Sequence, residues 1–236
     1  MISPRRWARA SVELLDDPSA DDATVVACLS DVARINRLFG GTRAALGRLD
    51  GLFRTERNGA PLTLLDVGTG LGDILAAAAR LARRRGLDLR PLGVERHAAA
   101  ASAARHRHGI ATCVADGFRL PLRDRSVDYV LCSQLLHHFG ADAAGHLLTE
   151  LGRVARRGVV IADLRRSALA AAGIFLASIP LRFHPTTRRD AVISVFRGFT
   201  VAELRALCDA AGVRADVRRH AGFRLTAAWS PNGARP

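Results

Sequence analysis

A run of glycines and three acidic residues carry the most chemical information in this chain. The segment Leu65-Asp66-Val67-Gly68-Thr69-Gly70-Leu71-Gly72-Asp73 sets a glycine at every second position behind a short apolar run. Glycines let a backbone turn tightly and approach a ligand where a Cβ would clash. Dinucleotide sites use such turns to bring pyrophosphate onto a helix N-terminus. Here Asp66 stands two residues ahead of the first glycine, which suits a ligand with a positive group better than a pyrophosphate. Glu95 and the pair Asp116-Gly117 close the next two apolar runs. A carboxylate at the first of these places can accept both hydroxyls of a ribose, and one at the second can reach an adenine amino group.

These residues need a scaffold that collects strand ends. Leu62–Val67 reads as a strand buried on both faces, followed by a helix from Ile74 to Arg85 with basic residues in its last turn. Strands at 92–95, 111–116, 127–132 and 159–163 alternate with helices at 98–106 and 143–154. Such alternation predicts a parallel sheet with crossover helices, and acids at successive carboxyl ends lie where open α/β sheets bind ligands. The rhythm breaks between Leu164 and Phe199 and resumes at Thr200, which with Glu203 forms a capping-box pattern. Two more strands fit 213–219 and 223–229, making seven. Before Leu62, apolar residues from Val25 to Phe39 recur at helical spacing until Gly40-Gly41, a second helix runs from Thr42 to Phe53, and Asn58-Gly59-Ala60-Pro61 reads as a break. The predicted division is a helical cap over 1–60 and one domain over 61–236, with 164–199 as an insertion.

Composition narrows the classes. The chain has 236 residues, 49% of them hydrophobic, enough for a sizeable core and too many for a disordered chain. Its four cysteines include no Cys-x-x-Cys, against a zinc ribbon, redox pair or disulfide scaffold. No apolar stretch follows the basic N-terminus as in a signal peptide. The apolar run Ala168–Leu181 would rise about 21 Å as a helix, short of a roughly 30 Å hydrocarbon core. A cytoplasmic protein without a membrane span is expected. The net charge of +13 invites a nucleic-acid partner, but all 35 basic residues are arginines spread along the chain. That pattern is what a GC-rich coding bias produces, and it argues against nucleic acid as the partner. The C-terminal excess of arginine keeps an RNA-acting enzyme as the alternative.

Taken in order, these motifs resemble those of class I S-adenosylmethionine-dependent methyltransferases, over roughly residues 60–230. The match includes Leu65–Asp73, Val94-Glu95, Ala115-Asp116-Gly117, Leu120–Tyr129, Cys132–Phe139 and the late helix from Phe199-Thr200 to Ala211-Gly212. It is similar to the small-molecule branch, including ubiquinone, menaquinone and polyketide methyltransferases. The segment Glu13–Asp17 with Asn36-Arg37 is similar to N-termini that accompany polyketide-type biosynthetic genes. One departure is Ala155-Arg156-Arg157-Gly158, where the family has Lys-Pro-Gly-Gly, a change in a surface turn. The resemblance implies a Rossmann-like, mostly parallel seven-stranded sheet with helices on both faces. It implies S-adenosylmethionine as cofactor, with Asp66, Gly68, Thr69, Gly70 and Gly72 around its methionine portion, Glu95 on the ribose, Asp116 and Gly117 at the adenine, and Ser133 at the methionine end.

Methyl transfer to a small acceptor needs alignment, exclusion of water and often a base. The candidate bases are His137 and His138, just after the fourth strand, and His184 in the insertion. The His pair can equally open a helix with one ring packed and one solvated. Arg189 and Arg197 are placed to bind an acidic acceptor or to pair with nearby acids, and Arg37 to reach the cofactor carboxylate or face solvent. The insertion, 164–199, is expected to cover the acceptor pocket. No Asn/Asp-Pro-Pro-Tyr follows the fourth strand and no Pro-Cys nucleophile is placed, against methylation of DNA bases. The fifth strand ends Asp163-Leu164, with no carboxylate cluster, so no divalent metal is expected. The reading is an enzyme of secondary metabolism, a monomer or homodimer, methylating an oxygen or carbon of a small aromatic, polyketide or quinone-like molecule.

Overall fold

Side chains along β1 (Leu62–Val67) alternate between two apolar layers, as the two-residue period of a strand requires. Leu62 and Leu64 face one layer and Leu65 and Val67 the other. The same alternation holds in β4 (Val127–Ser133), where Tyr129 and Leu131 oppose Val130 and Cys132, and in β5 (Ala155–Leu164), where Val160 opposes Val159 and Ile161. Strands greasy on both faces need cover on both, and helices supply it. In this computed structural model, residues 4–17, 19–56 and 59–231 are described. The break expected at Asn58–Pro61 therefore lies partly outside the described residues, as do Met1, Ile2 and Ser3.

One layer is built by α3 (Gly41–Phe53) and α4 (Asp73–Arg84), whose Leu49, Phe53, Leu75 and Ala78 are buried on the sheet. The other is built by α6 (Ala141–Val154) and α9 (Val201–Ala210) through Leu147, Leu148, Leu151 and Leu204. Each fully buried leucine contributes about 1.5–3 kcal/mol. Strands β2 (Leu89–Glu95) and β3 (Ala111–Val114), joined by α5 (Ala98–His108), extend one edge. At the other edge lie β7 (Arg224–Trp229) and β6 (Asp216–His220). The order is β3-β2-β1-β4-β5-β7-β6, parallel throughout except for β7, which runs antiparallel to both neighbours. The α/β Rossmann-like sheet expected from the sequence is therefore present, with Thr200 and Glu203 forming the expected capping box of α9.

Several boundaries differ from the sequence reading: β2 begins at Leu89, three residues early, β3 stops at Val114 short of 116, and β6 is shifted from 213–219 to Asp216–His220. β5 begins at Ala155, four residues ahead of the expected Val159. Arg156 and Arg157 can sit at its start because both bond the buried Asp128 carboxylate, at 2.6 and 2.8 Å. The interruption after β5 is two helices, α7 (Ala168–Ser178) and α8 (Pro185–Arg197). Ala171, Ile174, Phe183 and Val195 of this segment pack against Ile35 of α2 (Asp22–Leu38). That small cluster roofs the carboxyl ends of the strands. The helix α1 (Pro4–Ala10) lies against α8, burying Ala8. No helix among the described residues is long and apolar enough to cross a membrane.

Candidate active site

The sheet order reverses between β1 and β4, and there the chain leaves the two strand ends in opposite directions and opens a crevice. The glycine turn lies at this point. Gly68, Gly70 and Gly72 all have positive φ, at 74°, 53° and 76°. The positive φ at Gly72 demands glycine, and a Cβ there would also press on Ile110 Cδ1 at 2.8 Å. The turn delivers the chain into α4 and forms the floor of a cleft of about 350 Å³. Asp66, Thr69, Glu95, Asp116, Gly117 and Ser133 all line it, so the structure brings together the acids and glycines singled out in the sequence.

Their electrostatics differ. Asp66 is 2% exposed, and its Oδ1 has no hydrogen-bond partner. Burial, with the like charges of Asp73 and Glu95, pushes its carboxyl well above the usual range. The Glu95 carboxylate is oriented by the amides of Gly70 at 2.8 Å, Arg96 at 2.8 Å and His97 at 3.1 Å. Asp116 is exposed at the far end, its Oδ1 accepting from the Phe118 amide at 3.0 Å. Ser133 Oγ is buried and unpaired.

A one-turn 3-10 helix, Leu136–His138, follows β4 and carries the histidine pair. The His137 amide and Nδ1 meet the two oxygens of Asp163, at 3.2 and 2.7 Å. A carboxylate only accepts, so this Nδ1 carries a proton and Nε2 is the ring nitrogen not engaged by Asp163. That Nε2 is buried and has no partner. Burial raises the Asp163 carboxyl, but the charge and hydrogen bond of His137 and the Leu164 amide outweigh it and hold it below the ordinary value. His138 stacks on His137 with centroids 4.4 Å apart, and its Nδ1 lies 2.7 Å from Asp16 Oδ1.

Asp16 belongs to another 3-10 turn, Leu14–Asp16, which crosses the cleft mouth. The Leu15 carbonyl accepts from Arg96 Nη2 at 2.7 Å. Arg197 anchors this strap: its guanidinium donates to the carbonyls of Ala8 and Ser11 at 3.1 and 2.5 Å, and pairs with Glu13 and Asp16 at 3.0 and 2.8 Å. Replacing Arg197 with methionine leaves two carboxylates without their cation. Breaking such a buried pair costs about 3–5 kcal/mol. At about 2–4 °C per kcal/mol for a chain of this size, the Arg197→Met protein is expected to melt roughly 6–20 °C lower. Lysine, which cannot reproduce the planar fork, should not restore the melting temperature.

A second cavity of about 380 Å³ opens beside the cleft and shares Leu15, Val32, Gln134 and His138 with it as walls. Its lining is mainly apolar, from α2, α7 and α8, and His137 faces it. Gln134 has a left-handed backbone at φ 54° and bonds Asn36 and, at 3.1 Å, Arg224. Such backbone strain gathers where structure is organised for function.

Four residues proposed from the sequence do not meet this site. His184 caps α8, its Nδ1 accepting from the Thr186 amide at 3.3 Å, and it lines neither cavity. Arg189 is exposed, with Asp190 3.9 Å away. Arg197 is a buried anchor and is not on either cavity wall. Arg37 is exposed, because the helical turn that faces Asn36 inward carries its neighbour outward. Conversely, Glu13, Asp16, Asn36, Gln134, Asp163 and Arg224 sit at the site without having been proposed for it. Asp163 stood in view as a strand-end acid, while the contacts of Glu13 and Asp16 span more than 100 residues and leave no local trace. The expectation of no metal also meets a cluster: ligand atoms of Glu13, His137 and His138 lie within 4.8 Å of one another.

Residues 65–162 match the methyltransferase domain family. No curated protein matches the chain. Among solved structures, an S-adenosylmethionine-dependent methyltransferase from Aquifex aeolicus is 18% identical over 89% of this chain and 98% of its own, with a TM-score of 0.60. Magnesium protoporphyrin IX methyltransferase from Synechocystis, bound to S-adenosylmethionine, is 14% identical over 91% of this chain and 99% of its own, at 0.56. The methyltransferase domain of the citrinin polyketide synthase is 14% identical over 83% of this chain and 52% of its own, at 0.61. With its glycine turn and strand-end acids gathered in one cleft, the chain has the fold of S-adenosylmethionine-dependent methyltransferases, and its residues 65–162 match the methyltransferase domain.

Proposed function

We propose that this methyltransferase modifies a small, largely apolar acceptor of aromatic, polyketide or quinone-like character, at an oxygen or an acidic carbon. The observation that carries the reading is the second cavity: it adjoins the cofactor cleft, is mainly apolar, and has His137, whose buried Nε2 is unpaired, in its wall. The cleft residues fit the cofactor. The orphaned Asp66 oxygen suits its ammonium, Glu95 the ribose hydroxyls and Asp116 the adenine amino group. The glycine turn takes the methionine portion, with Ser133 beside it. S-adenosylmethionine, when bound, supplies a methyl on a positively charged sulfur, which an acceptor lone pair displaces to leave S-adenosylhomocysteine.

The chain's own residues do the rest. α7 and α8 supply one wall of the acceptor cavity, which supports a covering role for the insertion. His137 takes the acceptor proton at Nε2, with Asp163 stabilising the imidazolium that results. His138 stands at the seam between the two cavities and positions the acceptor beneath the strap. The RNA reading would place the arginines of 182–197 and 214–224 around the cleft. Of these, only Arg224 is on either cavity wall, and it is buried.

The test incubates the protein and cofactor with a panel of phenols and 1,3-dicarbonyl compounds and measures S-adenosylhomocysteine. Formation dependent on one of these acceptors is the expected result. Formation with RNA and with none of the small molecules would overturn the proposal.

A further inference from the structure

The histidine pair has a second capacity, one the proposed base chemistry does not use. Both rings are held the same way. Nδ1 of His137 lies 2.7 Å from Asp163, and Nδ1 of His138 lies 2.7 Å from Asp16. Each carboxylate holds its ring by a proton on Nδ1 and leaves Nε2 as the nitrogen open to another partner. One ring nitrogen of each histidine and a Glu13 carboxylate oxygen lie within 4.8 Å of one another, the His138 Nε2 to Glu13 Oε2 separation being 3.9 Å. Glu13 and His137 are 4% and 3% exposed, and His137 Nε2 has no other partner. Two imidazoles and one carboxylate, each imidazole backed by its own carboxylate, is the donor set of a divalent transition-metal site.

We propose that Glu13, His137 and His138 bind one divalent transition-metal ion, of the zinc, cobalt or iron(II) kind, at the inner end of the acceptor cavity. Oxygen-seeking magnesium and calcium are disfavoured by the two nitrogens. Glu13, Asp16 and Asp163 bring three carboxylates to this corner, two of them paired with the guanidinium of Arg197. Ser194 Oγ, 2.7 Å from Glu13 Oε2, and Arg197 steady the carboxylate from behind. Three protein donors leave a position open toward the cavity, where an acceptor oxygen would bond the ion. The ion and the transferred proton are thus alternative occupants of His137 Nε2.

Cobalt(II) is the probe. Full-length protein is stripped with chelator and titrated with cobalt(II), following visible absorption, and cofactor affinity is measured by calorimetry in parallel. One cobalt per chain is expected, with d–d bands that vanish in Glu13→Gln and in His137→Asn while cofactor affinity persists. Asp163 and Asp16 are positioning residues. Asp163→Asn should shift the bands and weaken cobalt binding about 10- to 100-fold, whereas a merely structural role would leave the spectrum in place. Substoichiometric uptake by the wild type, or equal uptake by Glu13→Gln and His137→Asn, would overturn the site. If His137→Asn does not fold, the same comparison is made with His138→Gln. Failure of the acceptor assay leaves the titration readable, and a failed titration leaves methyl transfer standing.

Discussion

In the His137→Asn enzyme, turnover with a weakly acidic phenol is expected to fall about 10²- to 10⁴-fold, the range general-base catalysis contributes, with cofactor affinity unchanged. Asparagine keeps an amide N–H near Asp163 and removes the proton acceptor, so the loss reports the base and not the buried carboxylate. The two partners give different signatures. Asp163→Asn keeps the ring but releases its tautomer, so the proton can move to Nε2 and block it. A strongly acidic phenol, ionised before it binds, should lose far less in both variants. An equal loss across acidic and weakly acidic acceptors would remove His137 from the proton's path. If His138→Gln alone abolished turnover, the base would be at the seam. If neither change slowed the reaction, alignment alone would account for the rate.

The second large effect moves binding and stability in opposite directions. Asp66→Asn should weaken S-adenosylmethionine binding about 10- to 100-fold, the equivalent of one charged hydrogen bond. The same change should raise the melting temperature of the cofactor-free protein. Burial holds the Asp66 carboxyl above its unfolded value, so ionising it opposes folding. The penalty is absent below the unfolded value, near pH 4, and grows as pH rises toward the folded one. At neutral pH, a buried polar group without a partner costs about 1–3 kcal/mol, or several degrees for a chain of this length. The wild type should therefore gain stability on mild acidification through this group, and the Asp66→Asn variant, whose amide does not titrate, should not. Scanning calorimetry of both proteins from pH 4 to 7, with and without cofactor, checks the sign. A variant that melts lower without cofactor would mean that Asp66 is structural.

The sheet and cofactor cleft were legible because their signals are local. An apolar run ending in Asp66 and alternating glycines specifies strand, turn and helix within twelve residues, and Glu95 and Asp116 repeat the strand-end logic. The acceptor side was less legible. His137 was visible, but its orientation depends on Asp163 at the end of a different strand. His184 read as a base because it lay in the insertion, yet the following Pro185 and Thr186 make it a helix cap. Arg197 was noticed for its charge, and its partners at residues 8–16 lie far along the chain. Sequence spacing reports what one element can do. It does not report which distant segment folds over the top.

That folding-over has a consequence for how the molecule is made. Arg197 bonds to Ala8, Ser11 and Asp16 across 189, 186 and 181 residues. Contacts of such separation form late, after the loop between them has been closed by everything else. During synthesis the strap thus waits for α8, which follows β1 to β5 along the chain. A chain stopped short of residue 197 contains the glycine turn and β1 to β5, but it leaves the strap without its anchor, and with it Glu13 and Asp16. The cofactor cleft and the strap that seals it are therefore completed at different times, the strap only once α8 has been made.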